Sequence, residues 1–165
     1  MPANVANATS DTMSLYDVAK LMTEARRLAA DYYKATGQTL PLTNEIARFD
    51  AMRLLDLLPV KEEIAGVDAI GQGERAEQKI QIKGRVQFRD SKAKQRIGQL
   101  ALDGKWDRVV LVLLDEHYNA TELVEVKRDA IEQALVGVAQ NKRGAMTIHK
   151  FKSLGSVVWC EQTTA

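Results

Sequence analysis

The period of the hydrophobic positions changes along the chain, and the changes mark its elements. Leu15, Val18, Met22, Ala25, Ala29 and Tyr32 recur three or four residues apart, the spacing of one helical face. Ser14, with Asp17 three residues on, reads as a capping box, and Gly37 as the stop. After the linker Leu40-Pro41-Leu42, Thr43 or Asn44 is expected to cap a second helix that ends near Leu58-Pro59. Its apolar stripe is Ala47, Ala51, Leu54, Leu55 and Leu58, and Lys61-Glu62-Glu63 reads as a polar connection out of it.

From Gly66 the period shortens to two. Residues 66–85, GVDAIGQGERAEQKIQIKGR, predict a short strand carrying Asp68, a tight glycine-containing turn, and a second strand. In that second strand Ile80 and Ile82 alternate with Gln81 and Lys83, so the isoleucines enter the core and the polar pair shares the other face. If the two strands pair, Asp68 lies close to Gln81 and Lys83.

Beyond Val86-Gln87-Phe88 the chain is polar through Lys105, with Ile97, Leu100 and Leu102 as its sizeable apolar anchors, and pattern alone does not choose between irregular strand and short helix. Val109 to Leu114 is an unbroken apolar run, expected as a strand buried on both faces. Asn119-Ala120 reads as a turn, and residues 122–127 alternate as a half-exposed strand pairing back. Asp129 is expected to cap a third helix with Ile131, Leu135 and Val138 inward, ending between Asn141 and Gly144. Short strands are expected at Met146–Ile148 and Val157–Trp159. The fold class is therefore α/β: a sandwich around a small mixed sheet with flanking helices. Residues 1–12 read as a flexible N-terminus and 13–165 as a single domain.

Composition narrows the function classes. No apolar run is long enough for a membrane span, and no secretory signal is visible at the N-terminus. One cysteine, Cys160, excludes an internal disulfide, which makes a cytoplasmic location the default. Two histidines and one cysteine leave little for a zinc site. Glycine-rich phosphate loops and G-x-S-x-G elbows are absent. His117 is expected in a surface turn and His149 beside Ile148 on a late strand; Trp106 and Trp159 read as packing residues.

Charge adds a partner. The net charge is only +1, but residues 75–108 hold ten basic side chains against four acidic ones, net +6, which leaves −5 for the remainder. Such a tract suits a phosphate backbone, with Arg85, Arg89, Lys92, Lys94 and Arg96 as its candidate contacts.

Asp68, twelve intervening residues, then Gln81-Ile82-Lys83, with Glu45 on a preceding helix, resembles the PD-(D/E)XK nuclease superfamily, the restriction-endonuclease-like fold. Glutamine in the second position is similar to the (E/Q)xK form of Mrr-type restriction enzymes. The resemblance implies that Asp68, Gln81, the main-chain carbonyl of Ile82 and Glu45 hold Mg²⁺ or Mn²⁺. It implies that Lys83 orients or deprotonates the attacking water, and that the substrate is DNA, cut by a homodimer. Hard cations of this kind take oxygen ligands and keep several waters. Because Gln81 is neutral, the metal site needs the charge of Glu45. The competing expectation is a non-catalytic nucleic-acid-binding or assembly module in which Gln81 marks a decayed metal site, and a purely structural partner protein is the third.

Overall fold

The computed structural model describes residues 14–90, 94–138 and 146–163. Among them are four α-helices and one open six-stranded sheet in the order β1-β2-β3-β4-β5-β6, so the chain is a mixed α/β protein. The strands are β1 (Leu58–Ile64), β2 (Val67–Ile70), β3 (Lys79–Val86), β4 (Arg108–Leu114), β5 (Ala120–Lys127) and β6 (Ser156–Cys160). Every neighbouring pair is antiparallel except β3 and β4, which run parallel. A parallel pair cannot be joined by a tight turn. Here residues 87–107 make the crossover, and their described part lies over the sheet as an irregular segment.

Each face of the sheet carries its own core. Helices α1 (Leu15–Thr36) and α2 (Thr43–Leu54) cover one face, where Ala29, Ile46, Ala47 and Ala51 meet Ile80, Ile82, Val110 and Val112. The crossover, α3 (Arg128–Leu135) and α4 (Ile148–Leu154) cover the other. There Ile97, Leu100, Trp106, Ile131 and Phe151 pack with Val109, Leu111, Leu113 and Val124. Burial on both sides explains why β4 reads as continuous apolar sequence.

Local chemistry sets most boundaries. Ser14 and Asp17 form the reciprocal cap of α1, and Gly37 closes it in the left-handed conformation at φ 71°. The second helix differs from expectation. Leu42, without a side-chain cap, precedes α2, and the helix ends at Leu54 rather than near Pro59. Asp56 turns the chain at φ 52°, so Leu58 and Pro59 open β1. Proline is tolerated there because an edge strand leaves one row of amides unpaired. The polar Lys61–Glu63 stretch belongs to this exposed edge strand rather than to a connection.

Other corrections follow the same logic. The β2–β3 turn is a longer loop through a 3₁₀ turn at Gly73–Arg75. Lys127, not Asp129, precedes α3, whose Val138 neighbour is exposed, and Leu102 also faces solvent. Met146–Ile148 is not a strand: Arg96 and Thr147 make one isolated bridge, and the Thr147 hydroxyl caps α4, which carries His149 on its exposed side. The expected N-terminal tail, the 141–144 helix end and Lys92 lie outside the described residues. No helix among the described residues is long and apolar enough to cross a membrane.

Candidate functional site

The geometry of β3 decides what its polar residues face. Its parallel register sets Gln81 beside Val109, Lys83 beside Leu111 and Arg85 beside Leu113. Gln81, Lys83 and Arg85 therefore project to the crossover side, while Ile80 and Ile82 project to α2.

On its other edge β3 outruns its partner. Its pairing with β2 covers Ala69↔Ile80 and Ile70↔Lys79. One pair further on, the N–H of Ile82 donates to Asp68 Oδ2 at 2.7 Å, so a carboxylate stands where a ladder carbonyl would be. A strand residue sends its N–H and C=O to the same edge, which turns the Ile82 carbonyl toward Asp68 as well. This divergence opens a cleft of about 440 Å³ whose lining includes Glu45, Arg48, Glu63, Asp68, Gln81, Ile82 and Lys83.

Helix α2 is held close to this cleft. Asn44 Oδ1 accepts the N–H of Gly84 at 3.1 Å, a contact that takes Asn44 away from capping. A Cβ at Gly84 would lie 2.6 Å from Ala47 Cβ and 2.9 Å from the Thr43 carbonyl oxygen, so only glycine permits the approach. One helical turn then presents Glu45 and Arg48 on one side. The Arg48 guanidinium pairs with Glu45 through Nη2 and with Asp68 Oδ1 at 3.3 Å through Nη1.

The polar groups differ in how they are satisfied. Asp68 is 22% exposed, with both oxygens engaged. Gln81 is 3% exposed; its Nε2 donates to the Gly66 carbonyl at 3.2 Å, and its Oε1 is buried without a hydrogen-bond partner. A buried acceptor of this kind costs free energy until a donor or a cation satisfies it. Burial lowers the Lys83 pKa below the ordinary lysine value; Asp68 opposes that shift, and Arg85 and Arg48 add to it. Lys83 also lines a second cleft, of about 590 Å³, with Gln99, Leu100, Ala101, Leu102 and Asp103 of the crossover.

Glu45, Asp68, Gln81, Ile82 and Lys83 thus share one cleft. Among the described residues no three histidine, cysteine, aspartate or glutamate side chains converge as a metal cage. The oxygen atoms that could hold a cation are instead Asp68 Oδ1, Gln81 Oε1, the Ile82 carbonyl and the Glu45 carboxylate. These are all oxygen, and one of them is unpartnered. That chemistry fits a hard divalent ion.

The described basic side chains of the tract differ in their surroundings. Arg85 is half-buried and donates to the carbonyls of Arg96 (2.7 Å) and Gly84 (2.6 Å), which anchors the crossover. Gly98, at φ 84°, gives it room. Arg75 and Arg108 pair with the buried Glu125. Arg89 is exposed near Glu116, Lys94 lines a separate pocket with His149, and Arg96 is exposed beside the Thr147 bridge. Trp106 is buried, His117 is exposed in a turn, and Cys160 is exposed.

Arg48, Asn44 and Glu63 are not among the candidate site residues that the sequence offers. Arg48 had a visible signal in its spacing of three from Glu45. Nothing local marks Asn44 as a ligand of β3, because that contact spans 40 residues. No protein-family model matches the chain, and no curated protein matches it.

Proposed function

We propose that this chain is a divalent-metal-dependent nuclease that hydrolyses phosphodiester bonds in DNA, with a restriction-endonuclease-like fold. The observation that carries the reading is the company of Asp68, the unpartnered Gln81 Oε1 and the half-buried Lys83 in one cleft at the point where β2 and β3 diverge. The resemblance of Asp68…Gln81-Ile82-Lys83 to the PD-(D/E)XK pattern supports the same conclusion. Asp68, Gln81, the Ile82 carbonyl and Glu45 are the residues that would hold Mg²⁺ or Mn²⁺. When bound, the cation supplies Lewis-acid polarisation of a phosphate oxygen and a more acidic water.

The chain's own groups do the rest. Lys83 stands beside the carboxylate of Asp68, and its lowered pKa makes it a better proton acceptor than an ordinary lysine. It takes a proton from the water that adds to phosphorus as one P–O ester bond breaks, the departing oxygen takes a proton from solvent water, and in its charged form Lys83 stabilises the negative charge that develops on the phosphate. The second cleft, on the other side of Lys83, offers a path for one strand of the substrate. A homodimer would present two such clefts to a duplex.

One observation favours a second reading. Arg48 already neutralises both Glu45 and Asp68, as it would in a nucleic-acid-binding or assembly module with a decayed metal site. Plasmid nicking separates the two. Wild type should nick DNA in Mg²⁺, and Asp68→Ala and Lys83→Ala should not. Equal residual nicking in all three samples removes the nuclease reading, and a gel shift indifferent to metal selects the module.

A further inference from the structure

The divalent-cation reading leaves Arg48, a charged side chain of the cleft, without a task, and the role assigned to it rests on that reading. The Arg48 guanidinium touches Glu45 with one nitrogen and Asp68 Oδ1 with another, spanning two carboxylates that come from different elements. Asp68 Oδ2 is committed to the N–H of Ile82. The Asp68 oxygen that the main chain does not engage is thus the oxygen that Arg48 holds. Gln81, whose buried Oε1 has no hydrogen-bond partner, lines the same cleft. A guanidinium and a divalent ion repel each other strongly at contact distance, so both cannot sit between the same two carboxylates.

We propose that Arg48 is an internal counter-ion which a divalent cation displaces from between Glu45 and Asp68, so that metal entry and release of the Arg48 side chain are a single exchange. In the metal-free protein Arg48 prevents repulsion between the two acids. Once displaced, it remains at the cleft mouth, anchored on α2, as a cation able to meet a substrate phosphate. Arginine suits this part because its planar fork reaches two oxyanions at once in a fixed geometry.

Mn²⁺ titration of the full chain, read by electron paramagnetic resonance of the free ion, tests the exchange. Arg48→Gln should bind Mn²⁺ about fivefold more tightly than wild type, the size expected for losing two partly exposed ion-pair contacts. Arg48→Lys should fall between the two, and it serves as the comparison if Arg48→Gln does not fold. Asp68→Asn should lose binding. In unmutated protein labelled with ¹⁵N, the Arg48 Nε–H should exchange faster with water when Mg²⁺ is added. Unchanged or weaker Mn²⁺ binding in Arg48→Gln, with Asp68→Asn still abolishing it, overturns the exchange and leaves the metal site standing. Absence of Mn²⁺ binding in every sample overturns both.

Discussion

Asp68 Oδ2 accepts the Ile82 main-chain N–H at 2.7 Å, and this bond stands in place of the ladder contact that β2 fails to make. The carboxylate thereby has a structural duty beside the chemical one proposed for it, and substitution separates them. Asp68→Ala loses the acceptor and should lower stability by about 1–2 kcal/mol. Asp68→Asn keeps an oxygen for Ile82 and should lie closer to wild type. Both should abolish nicking. Urea midpoints and plasmid cleavage check this, and wild-type cleavage by Asp68→Asn is the outcome that would refute the assignment.

Lys83 predicts a pH dependence. Its pKa is lowered in the folded protein, mainly by burial, so between that value and the ordinary lysine value the unfolded chain binds more protons. Its contribution therefore makes stability rise with pH across that window, and the cost of burying the charge is fully present only below it. Lys83→Met should melt higher than wild type at the low-pH end of the scan, by a margin that shrinks as pH climbs toward the ordinary lysine value of 10.5. Thermal scans of both proteins from neutral pH upward measure it, and a margin that grows with pH would be the wrong sign.

Gly84 sets the distance between β3 and α2. In Gly84→Ala the new methyl meets Ala47 Cβ at 2.6 Å, which should cost about 1–3 kcal/mol as the helix is forced outward. Adding Ala47→Gly should recover part of the loss, because it removes the opposing methyl. A denaturant series on the two single variants and the pair reads the coupling.

Arg128 pins the crossover. Its guanidinium stacks over Trp106 with Cζ 4.5 Å from the ring centroid and donates to the carbonyls of Leu102, Gly104 and Trp106. The Lys105 N–H in turn donates to the Ala65 carbonyl, next to the Gly66 carbonyl that orients Gln81. Arg128→Gln should destabilise the fold by about 2 kcal/mol. It should also speed amide exchange at Gly104 and Lys105 before the rest of the sheet. Unchanged exchange there would show that the loop is held by other contacts.

Periodicity made the first helix, the buried β4 and the alternation of β3 legible, because each is a local pattern with one dominant hydrophobic signal. The breakdowns occurred where a distant partner outweighed that signal. Asn44 looks like a cap but serves Gly84, 40 residues away. Residues 58–64 look like a helix end and a linker, yet they add an edge strand to β2. Thr147 looks like part of a strand and instead caps a helix. Arg85, one of the candidate phosphate contacts, also donates from Nε and Nη1 to the main-chain carbonyls of Arg96 and Gly84, which no local pattern marks.

By itself the sequence determined which residues of β3 share a face, since alternation is a property of the extended chain whatever surrounds it. It also determined that Asp68 and Glu45 are available as oxygen donors. Only the tertiary structure decided that β2 and β3 part company at Asp68, that α2 comes close enough to bring Arg48 between two carboxylates, and that Gln81 is buried with a bare oxygen. Those outcomes depend on contacts between elements, and the free energy of such contacts is not written in the spacing of residues along one strand or helix.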